Sequence, residues 1–123
     1  MRQWIILGAA NAFLSVTAGA FGAHALRTRL SADLRTIFET GASYHMYHSL
    51  GLVAIGLLAA QRPSPLLEGA GWAMLVGIVL FSGSLYALAL SGVRMLGAIT
   101  PLGGLGFLAG WALFALAAWR QTS

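Results

Sequence analysis

Trp4-Ile-Ile-Leu-Gly-Ala-Ala-Asn-Ala-Phe-Leu-Ser-Val-Thr-Ala-Gly-Ala-Phe-Gly-Ala-His-Ala25 runs without one Asp, Glu, Lys or Arg. At ~1.5 Å of rise per residue, a helix of that length crosses a hydrocarbon layer of ~30 Å. Arg2 ahead of it and Ala18-Gly-Ala20 within it also fit a secretory leader with its cleavage site. The apolar run continues past Ala20, which favours a helix that stays in the membrane. Composition points the same way. Of 123 residues, 59% are hydrophobic and 8% charged, where a soluble domain carries roughly 25% charged residues. So few charges cannot clothe a water-facing surface, and lipid is the solvent this chain is written for.

Three further spans follow, at about 43–60, 69–90 and 101–119, after a first at about 4–25. Their punctuation is local chemistry. Ser64-Pro65 supplies a cap and a proline suited to the first helical position, and Ser91-Gly92 supplies a stop with a glycine free to turn left-handed. Thr100-Pro101 repeats the restart signal. The expected architecture is an all-α, integral membrane four-helix bundle forming one domain over 1–123. Spans two and three form an antiparallel hairpin, and both termini lie on one side.

Between the first two spans the chain changes character, with Arg27, Arg29, Asp33, Arg35 and Glu39. Ser31 is a candidate N-cap, and Asp33 suits the positive end of a helix dipole. Leu34, Ile37 and Phe38 share a face opposite Arg35, so about 31–40 reads as a short amphipathic interfacial helix. It is expected either to run into the second span or to kink at Gly41.

The net charge of +4 rests on seven arginines and no lysine. They stand singly between apolar runs, as headgroup anchors do, so nucleic acid is not an expected partner. With no cysteine, disulfides and thiolate metal sites are excluded. No Asp, Glu, Lys or Arg falls inside the four spans, which disfavours a proton- or cation-coupled pump. No nucleophile–base pair, acidic dyad or phosphate loop is present, so no catalytic residues, metal or cofactor are expected.

Two patterns remain. Gly8, Asn11, Ser15, Ala18 and Gly22 recur at steps of three and four, and Gly106 and Gly110 have the Gly-x-x-x-Gly spacing. Small residues on one face let helices approach closely in lipid. The alternative for Asn11 and Ser15 is a hydrophilic pathway. The second pattern is Glu39-Thr-Gly-Ala-Ser-Tyr-His-Met-Tyr-His-Ser-Leu-Gly51, which concentrates His45 and His48 at the start of span two. With His24, Tyr44, Tyr86 and Thr100, they are expected to form one polar cluster at a mouth of the bundle. Such a cluster would serve hydrogen bonding, a small-molecule or headgroup site, or a metal held with Glu39.

Gly19-Ala-Phe-Gly-Ala-His-Ala-Leu26, Tyr44-His-Met-Tyr-His-Ser-Leu50, Phe81-Ser-Gly-Ser-Leu-Tyr86 and Leu96-Gly-Ala-Ile-Thr-Pro-Leu-Gly-Gly104 stand in one order along nearly the whole chain. In these motifs the chain resembles the domain of unknown function 423 family of small inner-membrane proteins. The resemblance implies a four-helix protein of the cytoplasmic membrane and supplies no activity. It leads one to expect glutamine at position 45 in many members, which makes His24 and His48 the better candidates. The expected function is a non-enzymatic, multi-pass membrane component. Its small-residue faces would pack the bundle, assemble it with copies of itself or dock it to a larger complex. The alternative is binding or transport of a small molecule or lipid at the His24/Tyr44/His48 mouth.

Overall fold

In the computed structural model, which describes residues 2–121, four long helices account for the architecture. Helix α1 runs Arg2–His24 and α2 runs Ala32–Gln61. Helix α3 is continuous over Pro65–Ser91, and a 3-10 turn at Arg94–Ala98 leads into α4 at Thr100–Gln121. Among the described residues there is no strand. Three of the expected caps form, while the Thr100 hydroxyl pairs with Ser84 instead. Ser31 Oγ accepts from Leu34 N–H, Ser64 Oγ accepts from Leu66 N–H with Pro65 in the first turn, and Gly92 takes φ 74° after α3.

Of the two expectations at Gly41, the continuous helix holds. The amphipathic segment and the second span are a single helix of 30 residues, ~45 Å long at 1.5 Å per residue. Gly41 does not kink it, because the missing side chain is used for packing: a Cβ there would press on Tyr86 and Leu85. Three helical stretches, Arg2–His24, Pro65–Ser91 and Arg94–Gln121, are long and apolar enough to cross a membrane by themselves. Helix α2 falls outside that set because Tyr44, His45, Tyr47 and His48 sit near its middle. One side of it is well enclosed, with Ser49, Leu52 and Ile55 fully buried.

The helices alternate in direction. At one end Gln3 Nε2 and Trp4 Nε1 donate to the Glu68 carboxylate, and Arg62 Nη1 donates to the Gln121 carbonyl. At the other, Arg94 and Asp33 form an exposed ion pair at 2.6 Å, a kind worth at most ~1 kcal/mol.

Close approach is bought by glycine. A Cβ at Gly8 would strike the α2 backbone at Ser49 and Val53, one at Gly56 would strike the α1 backbone at Ile5, and one at Gly103 would strike the α3 backbone at Phe81. Ser15, buried, donates to the Ala42 carbonyl, and Gly22 seats the Phe38 ring. Ala18 packs against the cluster of Leu26, Phe38 and Ala89, while Gly106 and Gly110 face α3 at Ala73, Gly77 and Met74.

Two apolar cores result. The larger joins Trp4, Leu52, Ile55, Leu67, Met74 and Phe107 among others, and the smaller joins Leu26, Phe38 and Ala89. Between them lies a layer of buried polar side chains, among them Ser15, His45, Ser49 and Ser82.

Candidate functional site

The polar layer is organised on α2. His45 lies near the midpoint of that helix, level with Asn11 near the middle of α1. Its Nε2 is 2.9 Å from Asn11 Oδ1 and its Nδ1 is 2.9 Å from the Tyr86 hydroxyl. Asn11 Nδ2 donates to the Leu7 carbonyl at 2.8 Å, which fixes the amide with Oδ1 toward the imidazole. An amide oxygen only accepts, so His45 carries its proton on Nε2, and Nδ1 accepts from the Tyr86 O–H. A neutral relay follows, Tyr86 to His45 to Asn11 to the α1 backbone, with both imidazole nitrogens paired. Among the described residues no buried side-chain nitrogen or oxygen lacks a partner.

Tyr86 reaches this position because α3 contains a π turn over Ile78–Ser82, in which Gly83 N–H bonds to the Ile78 carbonyl five residues back. The wide turn is held from two sides. Ser82 Oγ donates to the Gly41 carbonyl of α2 at 2.7 Å, and Gly103 of α4 lies against the Phe81 backbone. π turns inside α-helices are rare and occur often at functional sites.

Above the relay, α1 and α3 separate. The gap is a groove of about 440 Å³, lined by Asn11, Leu14, His45, Val79, Gly83 and Tyr86 among others. Its floor is the hydrogen-bonded layer, its walls are apolar, and it carries no charged side chain. That volume lies in the lower part of the ~300–1,000 Å³ range of small-molecule sites. Gly83 is exposed, and a Cβ on it would meet nothing within 4 Å. Glycine in a helix costs ~1 kcal/mol relative to alanine, and here no close packing requires it.

His48, one turn along, sits in different surroundings. Its ring stacks on Phe107 with centroids 3.4 Å apart and planes at 7°, with Tyr44 and Trp111 on either side. Its Nδ1 donates to the Tyr44 carbonyl at 2.7 Å. Tyr44 packs on Phe81. The α2–α4 seam is therefore filled by rings.

The cluster expected from the sequence is not assembled. His24 is exposed at the last residue of α1, ~20 Å along that helix from Asn11 at 1.5 Å per residue. Thr100 bonds to Ser84 at the start of α4. Tyr44 and His48 join the aromatic seam, while His45 and Tyr86 join Asn11. Because α2 is continuous, His45 and His48 lie at mid-depth and not at a mouth. Among the described residues no three His, Asp or Glu side chains come together as a metal site would need. Sequence reasoning gave Asn11 to a packing stripe, with a hydrophilic pathway as the alternative, and did not single out Ser82 or Gly83, which line the groove. Ser82-Gly-Ser84 within an apolar span was the available signal.

Comparison with known proteins adds kinship. The model of the family described as protein of unknown function (DUF423) matches residues 18–104. A UPF0382 membrane protein of Staphylococcus epidermidis is 51% identical, over 95% of either chain. The UPF0382 membrane protein YwdK of Bacillus subtilis is 48% identical over 96% of this chain and 97% of its own. A UPF0382 membrane protein of Staphylococcus saprophyticus is 47% identical over 98% of this chain and 99% of its own. No solved structure matches.

Proposed function

The chain belongs to the DUF423 family of membrane proteins, and on that premise we propose that it is a non-catalytic, multi-pass protein of the cytoplasmic membrane whose groove binds a small lipid-soluble molecule. Helical spans suit such a membrane, since outer-membrane spans are characteristically barrels. One observation carries the binding reading: a 440 Å³ groove at mid-depth with a polar floor. Polar groups at that depth are costly unless paired, and they mark ligand sites by default. The groove offers no charge, and its one proton relay is closed on itself, which suits binding better than catalysis. The small-residue faces support packing within the chain, because Gly8, Ser15, Gly22, Gly106 and Gly110 all meet neighbouring helices of the same bundle.

Gly83 supplies the test. A dodecane derivative bearing a diazirine, photolysed with the full chain in nanodiscs, should label residues of α1 and α3 that line the groove. Gly83→Leu starts from a Cβ that meets nothing within 4 Å and should abolish that labelling while the protein stays folded. Labelling spread evenly over all lipid-facing helices, and unchanged in the variant, overturns the reading.

A further inference from the structure

Resting on the groove as a binding site, we infer that its ligand is neutral and presents a hydrogen-bond donor, namely a hydroxyl group on an apolar body. The floor has few hydrogen-bonding positions left. Asn11 Nδ2 has given one of its two N–H groups to the Leu7 carbonyl. Asn11 Oδ1 has used one lone pair on His45 Nε2–H. The Tyr86 proton is committed to His45 Nδ1, which leaves lone pairs on the phenolic oxygen. His45 has nothing left. Ser82, a buried member of the same layer that also lines the groove, has given its proton to the Gly41 carbonyl and adds only acceptor lone pairs.

The positions left on the polar side chains that line this otherwise almost wholly apolar groove are thus mainly acceptor: a lone pair on Asn11 Oδ1 and those on Tyr86 Oη, against a single spare amide N–H. A ligand hydroxyl can donate to this floor without disturbing it. A ketone only accepts: it has the one spare Asn11 N–H to meet and leaves the acceptor lone pairs unpaired. If it took the Tyr86 proton instead, it would strand His45 Nδ1, which is costly for a buried acceptor. An alkane would leave the open positions unpaired but break nothing. A carboxylate would meet acceptor lone pairs in a low-dielectric site with no cation lining it. The geometry therefore ranks alcohols first, ketones and alkanes well behind, and anions last.

Four compounds of equal chain length read this ranking directly. The diazirine probe is bound to the full chain in nanodiscs and displaced with 1-dodecanol, 2-dodecanone, dodecane or dodecanoate. The alcohol should protect the groove residues at concentrations at least tenfold lower than any of the other three. Tyr86→Phe removes the phenolic oxygen and keeps the ring; it should still be labelled and should reduce the alcohol's advantage at least threefold. Should the variant not fold, the wild-type series decides alone. Labelling of the groove with no preference among the four compounds overturns the hydrogen-bonding inference and leaves the groove reading standing. Preference for dodecanoate overturns neutrality. Absence of groove labelling overturns both readings.

Discussion

Between α1 and α3 the bundle leaves a groove floored by hydrogen-bonded side chains, while between α2 and α4 it fills the equivalent gap with stacked rings. The two histidines of α2, three residues apart, belong one to each. His45 holds two helices together by its nitrogens, through Asn11 and Tyr86. His48 holds α4 by its face, on Phe107, and its one hydrogen bond stays within α2. The same side chain thus serves as a directional connector on one side and as a flat aromatic plate on the other. A connector leaves room beside it, whereas a plate takes up the room itself.

This contrast can be broken by substitution. Phe107→Ala attacks the filled seam, removing a ring that seats both His48 and Gly77. With lipid outside, the loss is mostly of packing, and ~3 kcal/mol is expected for such a truncation; thermal unfolding in mild detergent measures it. His45→Leu attacks the floor by stranding the Asn11 amide oxygen and the Tyr86 hydroxyl together, with ~2 kcal/mol lost. His45→Gln, which keeps one donor and one acceptor, should recover most of that in the same measurement. His48→Phe keeps the plate and loses only a bond to a carbonyl that the helix already uses, so the change should stay below ~1 kcal/mol. If it instead costs as much as His45→Leu, the two sides do not differ in kind. Gly83→Ala should be the mildest and of opposite sign, gaining up to ~1 kcal/mol from helix propensity.

The sequence carried the spans, the caps and the small-residue contacts openly, because each is a local matter. Apolar length, a serine ahead of a helix and glycines repeated every third or fourth residue need no knowledge of the partner. The site was legible only in its parts. Tyr44 to His48 stood out as the polar stretch, yet starting the second span at about 43 put those residues at an edge, when they lie near the middle of a helix of 30 residues. The parting of His45 from His48 was hidden for another reason. The two share a helical face, so their separation depends on which residues of α1, α3 and α4 stand level with them. That register follows from Gly8, Gly56 and Gly103 meeting neighbouring backbones, and no single helix displays it.

The π turn in α3 has a consequence in phase. Each residue advances an ideal α-helix by ~100°, and a π turn accommodates one residue beyond the α-helical count. Everything after Ser82 is therefore rotated as though a residue had been inserted. Phe81 can point toward α4 while Tyr86 swings to the α1 side and reaches His45. Removing one residue from 78–82 would restore an unbroken α-helix and turn the phenol away from the groove. The composition would barely change, and the length of α3 would stay sufficient to cross the bilayer. A hydropathy plot would not register the difference, so two chains with the same spans could differ in having this site at all.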